Sequence, residues 1–182
     1  MVEGIDMSIF DDRQTNQDCR ELPNSDTHRC FGCSPYNSFG LQMKFFSGGR
    51  TVFSSVTVPQ HMGGWHSVVH GGIVSTILDE TMGWCGICLL KKITLTKTMT
   101  VDFIKAVQVG DPLTVEGEVV GTTSDREAEM QSRLFNSKKE LCAKARGIFA
   151  LLSPKVAKRL GIMTEADIVY FFEPLLGLTI DE

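Results

Sequence analysis

Residues 70–80 read HGGIVSTILDE, which sets two glycines and then a carboxylate into one apolar helical run. Glycine costs about 1 kcal/mol in a helix interior. Gly71 and Gly72 therefore belong at the helix start, where backbone must approach something closely. The first amides of a helix lack intrahelical partners and sit at the positive end of its dipole. They offer donors to a developing negative charge, as an oxyanion hole does. Ile73, Val74, Ile77, Leu78 and Met82 fill the helix, which is expected to run from about Gly71 to Leu90.

A carboxylate is out of place on such a helix, because an unpaired buried charge is costly and charges of this kind cluster at functional sites. Asp79 is therefore a candidate acid-base group; its alternative is a structural buried pair. Glu80 lies about 100° further around the helix and faces away from Asp79. Asp79 follows Gly71 by eight residues, which at 1.5 Å per residue is about 12 Å along the axis. Groups acting on one carbonyl carbon need to be within about 3–3.5 Å. If both serve one reaction, two helices must supply them. A two-fold homodimer with antiparallel helices would pair Gly71 of one subunit with Asp79 of the other, twice over.

The remaining elements set this helix among strands. Residues 41–47 and 51–58 read as a hairpin closed at Gly48-Gly49. Residues 60–69 form a loop carrying His61, His66, Ser67 and Trp65 into the glycine turn. After the helix, Ile93–Phe103, 112–121, 127–136 and 140–152 read as a meander. One long helix among consecutive strands excludes an alternating parallel α/β sheet. The expected class is α+β, an antiparallel sheet wrapped around one buried helix. Residues 1–29 read as a polar N-terminal arm, 30–153 as the folded domain and 154–182 as short helices with an apolar tail. Ser153-Pro154 marks the start of a short helix, and Thr164 caps another. In the tail, Tyr170, Phe171, Phe172, Leu175 and Leu176 read as core or dimer packing rather than a lid.

Several motifs occur in order: Cys30-Phe31-Gly32-Cys33, Gly40-Leu41, His70-Gly71-Gly72 with Asp79 nine positions after the histidine, and Phe103, Lys105, Gly110 and Asp111. Over residues 30–153 the chain resembles the hotdog-fold acyl-CoA thioesterases, in particular the phenylacetate-pathway branch and its small mitochondrial relatives. The resemblance implies a hotdog fold and hydrolysis of an acyl-CoA thioester, with CoA entering only as part of the substrate and no separate cofactor. It also implies a homodimer, extending to a homotetramer as a dimer of dimers. Gly71 would polarise the carbonyl, Asp79 would act as base or nucleophile, and His70 would orient the thioester or brace its turn. Thr96 stands where some relatives keep a water-positioning serine or threonine, although Thr94, Thr98 and Thr100 share its strand parity. Relatives with an asparagine six residues before the motif histidine differ from this chain, which has Gly64 there.

The chain has 182 residues, 42% of them hydrophobic, enough for one core. A net charge of −4 argues against nucleic acid as a partner. An acidic N-terminus and the expectation that no apolar run nears bilayer-spanning length point to a cytoplasmic protein without a membrane partner. Six cysteines are present. Cys30 and Cys33 form one CxxC, but Cys85 and Cys88 lie inside the central helix, so a four-ligand zinc site is not expected and no metal is assigned. Cys85, Cys88 and Cys142 read as small core residues. Two rival functions remain on sequence grounds: an acyl-CoA hydratase or dehydratase of the same fold, and a non-catalytic acyl-CoA binding protein.

Overall fold

The computed structural model describes residues 20–25 and 28–177. Most of the proposed N-terminal arm and the end of the C-terminal tail fall outside them. Among the described residues, seven strands, β1 (Arg20–Glu21), β2 (Lys44–Gly48), β3 (Thr51–Thr57), β4 (Ile93–Phe103), β5 (Pro112–Ser124), β6 (Glu127–Phe135) and β7 (Leu141–Leu152), form one sheet in the order β1-β2-β3-β5-β6-β7-β4. All neighbours are antiparallel. The helix α1 (Gly71–Leu90) separates β3 from β4 in sequence, and β4 lies at the far edge, so the sheet curls around α1. This is the hotdog architecture.

The local chemistry explains these elements. Gly49 turns the β2–β3 hairpin at φ +57°, the left-handed region open to glycine. Strict alternation on β6 sends Ala128, Met130, Ser132 and Leu134 to the helix, while Glu129, Gln131 and Arg133 face outward. There they meet Arg146, Glu118 and Glu116 on a solvated convex face. Ile77, Leu78 and Met82 of α1 are fully buried against Leu113, Val115 and Leu134. Each such side chain stabilises the fold by about 1.5–3 kcal/mol relative to exposure. The helix runs so close to the sheet that a Cβ at Gly86 would overlap Thr94 and lie 2.7 Å from the Met130 methyl. Cys85, Cys88 and Cys142 are buried, as expected of small core residues.

Three differences from the sequence reading have physical causes. Residues 20–22 are pinned, because β1 adds to β2 and Leu22 is buried. α1, with 20 residues and a mean hydropathy of 1.4, is long and apolar enough by composition to cross a membrane, contrary to the expectation that no run approaches that length. Here it is the core helix, half its residues buried by the sheet, and a buried core helix meets the same criterion. The C-terminal tail packs on the fold as its apolar residues led one to expect, with Phe172 and Leu175 buried and Phe171 edge-on to Trp84 at 5.5 Å, but the tail is itself helical through Glu173–Leu176. Tyr170 and Leu176 remain exposed.

Candidate active site

His70 caps α1, accepting the Gly72 amide at Nδ1 over 2.9 Å. That bond consumes one of the two glycine donors expected from the sequence. A ring nitrogen that accepts is not the donor, so Nε2 is left as the donor side of the ring. The Gly71 amide has no acceptor among the described residues, so the helix presents a single open N–H. Gly71 borders a pocket of about 410 Å³ lined also by Trp65, Val68, His70, Val74, Phe103 and Val107 among others. The Phe103 ring covers Gly71, where a Cβ would sit 3.6 Å from two ring carbons. The loop of residues 60–69 forms one wall, as its place before the glycine turn suggested. Gly64 lies in that wall, and a side chain there would press on His70, with its Cβ 3.3 Å from the His70 Cα.

Asp79 and Thr96 come together two turns along the helix. The Thr96 hydroxyl donates to Asp79 Oδ1 at 2.7 Å, and Asp79 is half-buried. Burial raises the Asp79 carboxyl above the usual carboxylate range, and the Thr96 hydrogen bond opposes that rise. The structure also separates Thr96 from its neighbours. A bulge between Thr96 and Thr98 inserts Lys97, so the side-chain parity of β4 reverses there. Thr94 and Thr96 face α1, where Thr94 donates to the Gly83 carbonyl. Beyond the bulge it is Met99 and Val101 that pack on the core, while Thr98 and Thr100 line the outer face beside Arg146. The parity that made the four threonines equivalent in sequence does not survive the bulge.

The four expected site residues thus form two pairs on one chain, His70 with Gly71 at the pocket and Asp79 with Thr96 outside its lining. Sequence reasoning missed a third grouping. Glu80 turns away from Asp79, as expected, and its carboxyl meets the Cys30 thiol at 3.3 and 3.4 Å, with Cys33 alongside. Burial pushes the Glu80 carboxyl up to about 8, and Cys30 adds to the rise. The Cys33 hydrogen bond holds the Cys30 thiol below its usual range and leaves the Cys33 thiol above it. The signal that could have found this grouping is Gly32, whose missing Cβ admits Glu80.

Residues 66–143 match the family model described as the thioesterase superfamily. Among solved structures, a thioesterase superfamily protein aligns with a TM-score of 0.58 at 20% identity, over 64% of this chain and 57% of that one, so this chain spans little more than half of that relative. The Escherichia coli PaaI protein from the phenylacetic acid degradation operon aligns at 0.57 and 19% identity, over 62% of this chain and 81% of that one. A hypothetical thioesterase from Streptococcus pneumoniae, solved with coenzyme A, aligns at 0.53 and 21% identity, over 58% and 80%. A comparison with curated proteins finds no match. The structural likenesses carry the hotdog fold, and the family match covers residues 66–143, less than half of the chain.

Proposed function

We propose that this chain, a hotdog-fold protein whose residues 66–143 match the thioesterase superfamily, hydrolyses an acyl-CoA thioester to the free acid and CoA in sites completed across a homodimer. The observation that carries the reading is the separation of its two pairs: an open Gly71 amide at a pocket, and a carboxylate positioned by Thr96 outside it. About 12 Å along one helix is too far for one carbonyl. Antiparallel contact of two α1 helices brings the pairs together. The free edge of β4 supports that contact, since it ends the sheet and exposes Leu95, Phe103 and the adjoining Ile104. The likeness to a phenylacetic acid operon protein and to a thioesterase solved with coenzyme A agrees with an acyl-CoA substrate.

In this mechanism the thioester oxygen accepts the Gly71 N–H, backed by the helix dipole, and the acyl group lies against the apolar pocket wall. Asp79 of the other subunit takes a proton from water as that water attacks the carbonyl carbon, and collapse of the tetrahedral intermediate expels CoA thiolate, which is then protonated. Direct attack by Asp79, through an anhydride that water later opens, gives the same products. His70 enters as a donor, since its Nδ1 already accepts from Gly72. That argues against His70 acting as a base through Nδ1.

A thiol-release assay over short, medium, long and aryl acyl-CoAs tests the activity, with CoA and free acid appearing in equal amounts as the expected result. Reversible change in enoyl absorbance without thiol release would establish the hydratase instead, and binding without turnover a sensor. Thr96 acts as a positioning residue for Asp79. Thr96→Val is expected to lower kcat about tenfold or more, the range for losing a hydrogen bond to a charged group. Thr96→Ser, which keeps the hydroxyl, is expected to retain most of the rate. Equal losses in the two variants would remove the hydroxyl from the mechanism.

A further inference from the structure

We propose that Cys30, Cys33 and Glu80 form a binding site for a zinc-class divalent cation, separate from the hydrolytic site. The two sulfurs and a Glu80 oxygen lie within 4.8 Å of one another. Cys30 Sγ stands 3.3 and 3.4 Å from the two carboxylate oxygens. Zinc bonds of about 2.3 Å to sulfur and 2.0–2.2 Å to oxygen at a tetrahedral angle require a sulfur–oxygen edge of about 3.5 Å. The Cys30–Glu80 edge therefore needs to change by only tenths of an ångström, with the Cys33 sulfur within 4.8 Å of both. Two thiolates with one carboxylate suit zinc or cobalt and not the hard, all-oxygen shells of magnesium or calcium.

The site is built by the fold rather than by chance proximity. The Cys30–Cys33 turn is closed by the Ser34 amide donating to the Cys30 carbonyl at 3.2 Å. It is anchored at both inner residues: Leu41 and Met43 amides donate to the Phe31 and Gly32 carbonyls, each at 2.9 Å. A Cβ on Gly32 would overlap the Glu80 side chain, so bare backbone is what lets the carboxylate reach the thiols. Among the described residues no lysine, arginine or histidine bonds the Glu80 carboxylate, whose hydrogen-bond partners are the Cys30 and Cys33 thiols. His28 is already engaged, Nδ1 with the Cys30 amide and Nε2 with Asn24. Three protein ligands and one solvent position result. The sequence alone points away from this site because its second CxxC, Cys85 and Cys88, lies inside the central helix; the third ligand comes from α1, 50 residues after Cys30.

Titration of the reduced, chelator-treated full-length protein with Co²⁺ tests the proposal without reference to turnover. One equivalent is expected to give a saturable thiolate-to-cobalt charge-transfer band with tetrahedral visible bands, and Zn²⁺ is expected to displace it. Cys30→Ser and Cys33→Ser, checked for native circular dichroism, should each greatly weaken the band. The isosteric Glu80→Gln should weaken affinity at least about tenfold, as loss of a direct ligand costs no less than loss of an outer-shell partner. Zn²⁺ should raise the melting temperature of the natural sequence and leave that of Cys33→Ser unchanged. A folded, reduced protein with no saturable band overturns the site. So does a band that survives in the Cys30→Ser, Cys33→Ser double variant, or an unaltered affinity in Glu80→Gln.

Discussion

Asp79→Asn is expected to cut thioester turnover by at least about a hundredfold, the lower range for losing a positioned acid-base group, while the fold is retained. The amide oxygen of asparagine can still accept the Thr96 hydroxyl that now reaches Asp79 Oδ1 at 2.7 Å. Half-burial is easier for a neutral amide than for a carboxylate. Substrate affinity should therefore change much less than kcat. An amide can neither take a proton from water nor attack a thioester as a carboxylate does, so the prediction holds for both routes. Steady-state kinetics with the best acyl-CoA of the panel, alongside circular dichroism and size-exclusion chromatography, decide it. A well-folded Asp79→Asn protein with near-normal kcat would show that another group activates the water.

Much of the fold is legible in the sequence because its signals are local. The glycines at 71 and 72 mark the helix start, and alternation on β6 gives its buried face directly. The β2–β3 hairpin is readable from its glycines, although the turn itself falls one residue later than Gly48-Gly49, with Gly48 still paired to Thr51. What sequence could not supply depends on contacts distant along the chain. Thr96 looked equivalent to Thr94, Thr98 and Thr100 until the bulge at Lys97 sent the last two to the outer face. A bulge adds one residue against a partner strand and leaves no reliable compositional mark. Glu80 was read correctly as facing away from Asp79, but what it faces is set by a loop 50 residues earlier. The glycine donors were overcounted for a similar reason, since the cap that takes the Gly72 amide comes from the orientation of the His70 ring.

Mixed dimers give the sharpest test of the composite site. Gly71→Val places a branched side chain beside Phe103, where even a Cβ would lie 3.6 Å from the ring, and obstructs the carbonyl's approach to the amide. Asp79→Ala removes the acid-base group. Each homodimer is expected to be nearly inactive, because both of its sites carry one lesion. In a heterodimer of the two variants, a cross-subunit arrangement concentrates both lesions in one site and leaves the other intact. Activity should then return toward about half the natural value per heterodimer, whereas sites contained within single subunits would each keep one lesion and stay inactive. Co-expression with two affinity tags isolates the heterodimer, and thermal melting shows whether the valine has disturbed the packing around Phe103. Folded heterodimers as inactive as their parents would refute the shared site and return both pairs to a single chain, where the distance along α1 leaves them unable to act on one carbonyl.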